Sequence, residues 1–428
     1  MFKNFTAVPI LFALLTTSLV AQIPKSLFVA NSLGQNISTV NLENGNVNQD
    51  ALPLGLFPNF IKIRGDRAYV INSGTNEVQI VDLASVSTIA SIDLGASTNP
   101  WAMDFINDSL AAVSLWLANQ VAIINVNSRQ IIQHVAAGTA PEGVKYFDGK
   151  IYVANSGYNG SGYDPGTISV IDASSFVVLD TIAVSINPQD LDVSSQGQLV
   201  VICTGDYGVI KSQLVIIDLG SSTLDYSIIL NLIATGVRVN SLNQCYMGTS
   251  FDGVMVFNLN SESFERDENQ TLPGGSAIVF DQQNNAYLAN FNSDSVYAFS
   301  SSHQEVVTFR VGDGPVSLDL YDPITTSIRE EEELVAKRFI LNQNYPNPFN
   351  PNTLISYQIS RASDVELIIF TVLGQRVETL VQENQPAGYY EAVWDGTDES
   401  GALVASGIYL FMLKTEARQS VKKMHLIR

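Results

Sequence analysis

The chain has 428 residues, of which 42 are acidic and 22 are basic, and its formal net charge at pH 7 is −20. So negative a surface repels phosphate backbones and anionic lipid head groups, which excludes nucleic acid as a partner. The three histidines lie too far apart in sequence to form a metal-ligand pair, so no zinc or copper site is predicted and no cofactor is expected.

The N-terminus carries the pattern of a secretory signal. Lys3 precedes an apolar run over residues 9–20, which ends at Ala21 before the polar Gln22. The run is shorter than a membrane-spanning helix and has the flanks of a cleaved signal, so residues 1–21 are predicted to be a signal peptide. No later segment is long and apolar enough to cross a bilayer. We therefore expect no membrane span in the mature chain.

A short apolar block then recurs along the chain at intervals of about 41 to 48 residues. The blocks are LFVAN from Leu27, AYVIN from Ala68, LAAVS from Leu110, IYVAN from Ile151, LVVIC from Leu199, CYMGT from Cys245 and AYLAN from Ala286. Each block is followed by a second run of alternating apolar residues, such as ISVIDA from Ile168. A self-similar unit of this length is a module that must stack on its neighbours to bury its faces.

Each repeat contains four short predicted strands. The first precedes the block and often begins at or after a proline, as at Pro58, Pro100, Pro141, Pro188 and Pro315. Four strands per repeat without helical periodicity predict a propeller blade. Residues 316–321 form a first strand without successors, so we expect them to complete the blade that begins at Leu27. The predicted fold class is all-β, with a seven-bladed β-propeller over residues 22–322.

The repeat units combine a proline, an apolar strand, a block such as IYVAN and a strand such as ISVID. In this pattern the chain resembles the YVTN-type β-propeller family over roughly residues 25–322. The resemblance implies a propeller that acts as an extracytoplasmic surface or binding protein. It implies no particular activity.

Residues that recur from repeat to repeat are interpreted as structural. They are predicted to cap turns by bonding to local backbone, and they are Asn31, Asn72, Asn155, Asn290, Asp82, Asp172 and Asp218. Residues that differ between repeats are the better guide to function.

Two loops between the second and third predicted strands are long, and they belong to adjacent repeats. They are SGYNGSGYDPGT from Ser156 and TGDYGVIKSQ from Thr204. On a propeller such loops share one face with the loops that lead into the first strands, so we expect a binding rim there. The predicted binding residues are Trp101, Trp116, Tyr158, Tyr163 and Tyr207, beside Glu142, Asp164, Gln189, Asp206 and Lys211.

Aromatic faces beside carboxylates suit sugars, peptides or a cation. In the competing interpretation the tryptophans are buried wedges between blades. A second candidate site lies along the predicted axis, where alternate first-strand positions carry the charged residues Lys62, Asp104, Lys145, Asp192 and Asp319. Mixed signs favour mutual pairing, and ion binding by the three aspartates is the alternative.

After the repeats the composition changes. Residues 323–340 are charged and lack a strand pattern, which predicts an acidic linker. Residues 341–428 alternate strands, among them 354–359 and 365–370, with Asp-Gly and Ser-Gly turns. This pattern predicts a small Ig-like β-sandwich.

The tail carries an ordered motif, which consists of Tyr345, Pro346, Asn347, Pro348, Phe349, Asn350, Pro351, Trp394, Asp395, Gly396, Gly407, Tyr409, Lys422 and Lys423. With these residues it closely resembles the class A C-terminal sorting domain of the type IX secretion system, which is related to the Ig-like domain of flagellar hook-capping proteins. The resemblance implies the type IX machinery as a partner. It implies passage through the periplasm to the outer-membrane surface or the exterior of a Gram-negative-type cell. An ordinary adhesive sandwich is the alternative.

The leading functional hypothesis is an exported propeller that serves as a binding or scaffold module for an extracellular protein or glycan. The alternative is a secreted lactonase-like or lyase-like propeller enzyme that uses acids near the channel, with Ca²⁺ as an optional cofactor. No nucleophile elbow occurs in the sequence, so no catalytic residue is assigned. Carboxylates converging on one axial metal would favour the enzyme, whereas dispersed and paired charges would favour the binding module.

Overall fold

The computed structural model describes residues 23–323, 340–344, 346–359, 363–372, 374–385, 388–415 and 418–427. The predicted signal peptide, nearly all of the predicted linker and Tyr345 lie outside these residues. The described residues form strands, turns and loops, and no helix among them has the length and hydropathy needed to cross a membrane. The chain divides into two compact units, the first ending at Asp322 and the second beginning at Pro323.

The first unit is built from four-stranded antiparallel sheets. The first sheet contains β1 (Ser26–Asn31), β2 (Asn36–Asn41), β3 (Val47–Pro53) and one strand from the end of the unit. The second contains β4 (Pro58–Arg64), β5 (Arg67–Asn72), β6 (Glu77–Asp82) and β7 (Ser87–Asp93). The third contains β8 (Pro100–Phe105), β9 (Leu110–Leu115), β10 (Gln120–Asn125) and β11 (Gln130–Ala136).

The same order of strands continues through the next four sheets. The fourth contains β12 (Pro141–Phe147), β13 (Lys150–Asn155), β14 (Thr167–Asp172) and β15 (Val178–Ala183). The fifth contains β16 (Pro188–Val193), β17 (Gln198–Cys203), β18 (Gln213–Asp218) and β19 (Thr223–Ile229). The sixth contains β20 (Ala234–Val239), β21 (Gln244–Thr249), β22 (Val254–Asn258) and β23 (Ser263–Arg266). The seventh contains β24 (Ala277–Phe280), β25 (Ala286–Asn290), β26 (Ser295–Phe299) and β27 (Glu305–Arg310).

The sheets close into a propeller-like ring. Strand β28 (Pro315–Tyr321) pairs antiparallel with β1, with Asp319 opposite Phe28, so the prediction that residues 316–321 complete the first sheet is confirmed. The innermost strands β4, β8, β12, β16, β20 and β24 contact one another in turn, and β28 contacts both β4 and β24. Because both ends of the unit lie in one sheet, β1 is not left as an unpaired edge strand.

The core lies between the sheets. The strand next to the innermost one is buried along its whole length in β1 and β21, whereas the outermost strands β15 and β27 are largely exposed. Each interface between neighbouring sheets has its own apolar cluster, such as Tyr69 and Ile71 against Met103 and Val113. Buried on both faces, the recurring blocks are nearly continuous apolar runs.

The recurring aspartates cap turns, as predicted. Oδ1 of Asp172 accepts hydrogen bonds from the backbone amides of Ser174 and Ser175, at 3.0 and 2.7 Å. Oδ1 of Asp82 and of Asp218 makes the equivalent bond to Ser85 N and Ser221 N. Hydrogen bonds from the serines hold the pKa of Asp172 at about 2.

The recurring asparagines only partly follow the prediction. Asn290 caps its turn through Oδ1. Asn31 and Asn72 instead point into the sheet and donate to side chains of the next strand, at 2.8 Å to Ser38 Oγ and to Gln79 Oε1. Asn155 behaves in the same way and donates to Ser169 Oγ at 3.0 Å. The turn-cap prediction is wrong for these three, because their full burial removes the local backbone partners and leaves cross-strand side chains within reach.

An axial belt of charged side chains occupies equivalent positions of the innermost strands. In ring order it consists of Asp319, Lys62, Asp104, Lys145, Asp192 and Arg238, with Val279 at the seventh position. The Lys145 ammonium lies 2.7 Å from Asp192, and the Lys62 ammonium lies 3.7 Å from Asp104. The pairing predicted for this position is confirmed, and it extends to Arg238, which lies 2.6 Å from Asp190.

The belt aspartates also bond to the backbone of the next sheet. Asp319 accepts from Ile63 N at 2.7 Å, Asp104 from Tyr146 N at 2.9 Å and Asp192 from Val239 N at 2.9 Å. Burial alone would raise the pKa of Asp192, but the Lys145 and Arg238 charges hold it below its ordinary value. The belt therefore joins neighbouring sheets around the axis.

Replacing a belt carboxylate should destabilise the ring. Asp192→Ala is expected to lower the free energy of unfolding by about 3 kcal/mol, because it removes the partner of a largely buried ammonium and of the Val239 amide. The control is Asp108→Ala, which removes an exposed partner of Arg64 and should change stability by less than about 1 kcal/mol. Urea denaturation of both variants provides the measurement. Equal losses in the two variants would contradict a structural role for the belt.

The second unit is a pair of packed sheets. Its strands are β29 (Ile340–Leu341), β30 (Thr353–Ile359), β31 (Ser363–Thr371), β32 (Arg376–Gln385), β33 (Gly388–Trp394), β34 (Gly407–Lys414) and β35 (Gln419–Leu426). One sheet has the order β29-β30-β33 and the other β32-β31-β34-β35. A single apolar cluster joins residues of both, including Tyr357 from one sheet and Phe411 from the other.

Three residues of the tail motif form the centre of this cluster. The indole of Trp394 is fully buried, with ring centroids 5.6 Å from Phe349 and 5.2 Å from Tyr409. Its Nε1 donates to Thr397 O at 2.9 Å, and Tyr409 OH donates to Ala405 O at 2.7 Å. The aromatic part of the motif thus builds the sandwich core.

Candidate binding site

One face of the ring is formed by two sets of loops, which we call the loop face. It consists of the loops between the second and third strands of each sheet and the loops that lead into the innermost strands. Backbone hydrogen bonds join the two sets in five sheets, from Ser32 N to Gly314 O, Ser73 N to Phe57 O, Trp116 N to Asn99 O, Ser156 N to Ala140 O and Thr204 N to Asn187 O. The prediction that these loops share a face is confirmed.

The two long loops are held in defined shapes. Gly205 has a φ of +83°, and a Cβ there would overlap Ile210 O, so the turn requires glycine. Asn187 Nδ2 donates to Gly205 O at 3.0 Å and anchors this loop to the innermost strand of its sheet. In the other long loop Tyr158 and Tyr163 form an isolated antiparallel bridge. Both loops therefore have conformations that are held by hydrogen bonds.

Four predicted residues form an aromatic row on the loop face, namely Trp116, Tyr158, Tyr163 and Tyr207. Their ring centroids follow one another at 5.5, 5.4 and 6.4 Å, across the third, fourth and fifth sheets. Trp116 is half-buried and stacks on Tyr158, whereas Tyr207 at the other end is 49% exposed. Contacts at these distances fix the orientation of each ring through its neighbour.

A central cavity of about 570 Å³ lies beside the row and is lined by residues from all seven sheets. Trp101 is 38% exposed and forms part of its wall, so it is not a buried wedge between sheets. The charged lining comprises three basic and three acidic side chains, Lys62, Lys145, Arg238, Glu142, Asp190 and Asp319. A volume of this size is typical of small-ligand sites.

The aromatic row and the central cavity share two hydrogen-bonded side chains. Trp116 Nε1 donates to Glu142 Oε1 at 3.3 Å, and Gln189 Nε2 donates to Tyr207 OH at 2.7 Å. Glu142 and Gln189 both line the cavity. The rim and the axial channel were separate candidates in the sequence, and the structure brings them together in one site.

Three charged residues predicted for the rim neither line the cavity nor belong to the aromatic row. Asp206 accepts from Gly208 N and Ile210 N within its own loop, at 2.9 and 2.8 Å. Asp164 accepts from Asn159 Nδ2 at 3.1 Å, and Lys211 donates to Asn231 Oδ1 at 2.7 Å. These side chains shape the loops because their polar groups are used in local bonds.

Burial controls the protonation of two residues of the site. Glu142 is 5% exposed, and burial raises the pKa of its carboxyl from the ordinary 4.5 to about 8, although Ser156 and Trp116 bond to it. The pKa of the Tyr163 phenol is raised to about 12, mainly by burial and secondly by the neighbouring Tyr207. At neutral pH the site therefore presents a protonated carboxylic acid and a neutral phenol.

The axial carboxylates are engaged by the protein itself. Asp190 accepts from Val237 N at 3.0 Å and pairs with Arg238, and the belt aspartates bond to backbone amides as described above. Among the described residues no group of three or more His, Cys, Asp or Glu side chains is arranged to hold a metal ion.

Sequence reasoning missed several residues of the site. Arg238 lies at the same register position as Lys62 and Lys145, so aligning β20 with the other innermost strands would have found it. Phe57 precedes Pro58 in a loop that leads into an innermost strand and has a φ of +52°. Phe60, Asn59 and Asp190 line the cavity from positions that no repeat pattern distinguishes.

Fold and site define an all-β, propeller-like protein with a ligand-sized cavity at its centre and a small sandwich at its C-terminus. Residues 350–419 of the sandwich match the FlgD Ig-like domain family. No curated protein matches the chain significantly.

Two solved structures share the fold. A chain of Kuenenia stuttgartiensis hydrazine synthase is similar with a TM-score of 0.52 and 16% identity, over 63% of this chain and 94% of that one. The computationally designed Ika8 protein is similar with a TM-score of 0.50 and 11% identity, over 68% of this chain and 86% of that one. At these identities the likeness concerns the fold alone.

Burial of Glu142 should make stability depend on pH. In the folded chain its pKa is about 8, so its contribution is fully present below the unfolded value near 4.5 and is lost as pH rises through 8. The thermal midpoint of the wild type minus that of the Glu142→Gln variant should therefore fall as pH rises over this range. The variant is the reference because its side chain cannot ionise. A difference that stays constant with pH would contradict the neutral carboxyl.

Proposed function

We propose that this protein is an exported seven-bladed β-propeller that binds an extracellular partner through its loop face. The observation that carries the proposal is the continuity between the aromatic row and the central cavity through Glu142 and Gln189. Aromatic rings that lead into a cavity of this size are typical of recognition sites.

Exposed apolar side chains elsewhere on the loop face support the same role. They lie in loops of several sheets and include Leu33, Phe57, Leu117, Val209, Phe251 and Phe291, of which Phe251 is 79% exposed. Apolar side chains exposed by several loops of one face are suited to contact with a partner. The opposite signature, a uniformly polar rim, would be expected of a ring that serves only as a spacer.

Side chains of the site are held by contacts with one another in the absence of a partner. Tyr207 OH accepts a hydrogen bond from Gln189, and Trp116 is held by both Tyr158 and Glu142. Side chains that are already ordered lose little conformational entropy on binding. This preorganisation favours a binding function for the rim.

The enzyme alternative has less support. It requires carboxylates that converge on a substrate or an axial Ca²⁺, but Asp104, Asp192 and Asp319 each accept a backbone amide of the neighbouring sheet. Ligand oxygens bound in this way are poorly available to a cation. Glu142 has an environment that suits proton donation, but its carboxyl has a structural partner in Trp116.

Export is proposed on the two ends of the chain. Residues 1–21 have the pattern of a secretory signal, and the tail motif resembles the type IX sorting domain. The match of residues 350–419 to the FlgD Ig-like domain family supports this assignment, because sorting domains of this class are related to that fold. We therefore propose the type IX machinery as a partner and a cell-surface or secreted location.

Binding by the rim can be tested on one exposed residue. Wild-type protein is screened on arrays of extracellular glycans and proteins, and Tyr207→Ala should weaken binding to the captured ligand by about 1 to 3 kcal/mol. Thermal stability should hardly change, because Tyr207 is half exposed. The matched control is Phe264→Ala, on the outer strand β23. A captured ligand that binds Tyr207→Ala and the wild type with equal affinity would contradict a binding role for the rim.

Sorting by the tail can be tested by deletion. In a host with a type IX system, a chain that lacks residues 341–428 should accumulate in the periplasm as a folded ring, because the two units are separate. Fractionation and immunoblotting measure delivery, and the thermal midpoint of the purified ring checks folding. Equal surface delivery with and without the tail would disprove the sorting role.

A further inference from the structure

The floor of the central cavity offers hydrogen-bond donors and acceptors of both signs. Lys62, Lys145 and Arg238 supply donors, whereas Asp190 and Asp319 supply acceptors. Three basic groups thus face two carboxylates beside the protonated Glu142, so the lining has little net charge. A multivalent anion would meet repulsion from the carboxylates, and a multivalent cation from the basic groups. The floor instead suits a neutral ligand whose groups both donate and accept.

Two further groups extend this polar surface. Asn59 lines the cavity, and its Oδ1 is buried without a hydrogen-bond partner in the described part of the chain. A rotation of this side chain would present its unpaired acceptor to a donor of the ligand. The protonated carboxyl of Glu142, at the wall, is able to donate as well as accept.

The wall of the cavity adds apolar rings above this polar floor. Trp101 and Phe57 are exposed and line the cavity together with Phe60 and Phe280. A sugar ring has the matching two-sided character, since its C–H face packs on an aromatic ring while its hydroxyls donate and accept hydrogen bonds. Peptide groups would satisfy the floor less completely, because each has one donor and one acceptor at fixed positions.

We propose that the central cavity binds the end of a neutral saccharide chain. Trp101 stacks on a sugar ring, and hydroxyls of that ring accept a hydrogen bond from Lys62 and donate one to Gln189 Oε1. Sugars further along the chain leave the cavity beside Gln189 and pass over Tyr207 at the exposed end of the aromatic row. This inference rests on the proposed binding role of the loop face and names the ligand class.

The test uses calorimetric titration of the full mature chain with cellotriose, maltotriose, mannotriose, xylotriose and chitotriose. At least one of them should bind, and trigalacturonic acid, a negatively charged trisaccharide, should bind more weakly. Trp101→Ala and Lys62→Met should each weaken the association at least about tenfold, since a stacked ring or a buried hydrogen bond contributes that much. Phe264→Ala is the matched control, a partly exposed aromatic residue of the outer strand β23 away from the loop face and the cavity lining, and should bind as the wild type does.

Two results would overturn the inference. One is the absence of binding to all five neutral trisaccharides by a chain with an unchanged thermal midpoint. The other is a ligand from the arrays that responds to Tyr207→Ala but binds Trp101→Ala and Lys62→Met as tightly as wild type. In the second case the loop face remains a binding surface and only the saccharide assignment fails. If instead Tyr207→Ala has no effect while both cavity variants lose the sugar, the rim assignment fails and the cavity stands.

Discussion

The innermost strand of each sheet has an edge that faces the axis and lacks a neighbouring strand. In the second, fourth and sixth sheets an amide of this strand donates to a belt carboxylate of the preceding sheet, Ile63 N to Asp319, Tyr146 N to Asp104 and Val239 N to Asp192. Each accepting carboxylate also has a basic side chain of the belt beside it, which lowers the free-energy cost of burying its charge. The axial belt therefore satisfies the strand edges and joins the sheets at the same time, and the ring depends on it.

The belt also determines what the cavity offers. Because its acids and bases alternate, the floor is polar without a strong net charge. The apolar Val279 occupies the seventh position, so the series of charged side chains is interrupted at the seventh sheet. The side chains that close the ring thus also present hydrogen-bond donors and acceptors at short intervals on the cavity surface. The aromatic residues that extend from it belong to loops, which vary between sheets without disturbing the belt.

The tail illustrates how a sequence motif can reflect packing as well as recognition. Phe349, Trp394 and Tyr409 form the core of the sandwich, so their presence in the motif follows from the need for a stable fold. Lys423 is exposed and Lys422 partly so, which leaves them accessible to another protein. Any recognition of the folded tail must use such surface residues, because the aromatic core is closed to solvent.

The sequence by itself determined the strands, their grouping in fours and the closure by residues 316–321, because burial on both faces imposes a periodic apolar pattern. It also identified the belt positions and the aromatic residues of the rim. Only the tertiary structure decided that Trp116 reaches Glu142, 26 residues away, and that Gln189 reaches Tyr207, 18 residues away. It likewise turned Asn31 and Asn72 into the sheet and added Arg238 and Phe57 to the cavity. Contacts between neighbouring sheets depend on side-chain direction and burial, which no periodicity of one chain segment contains.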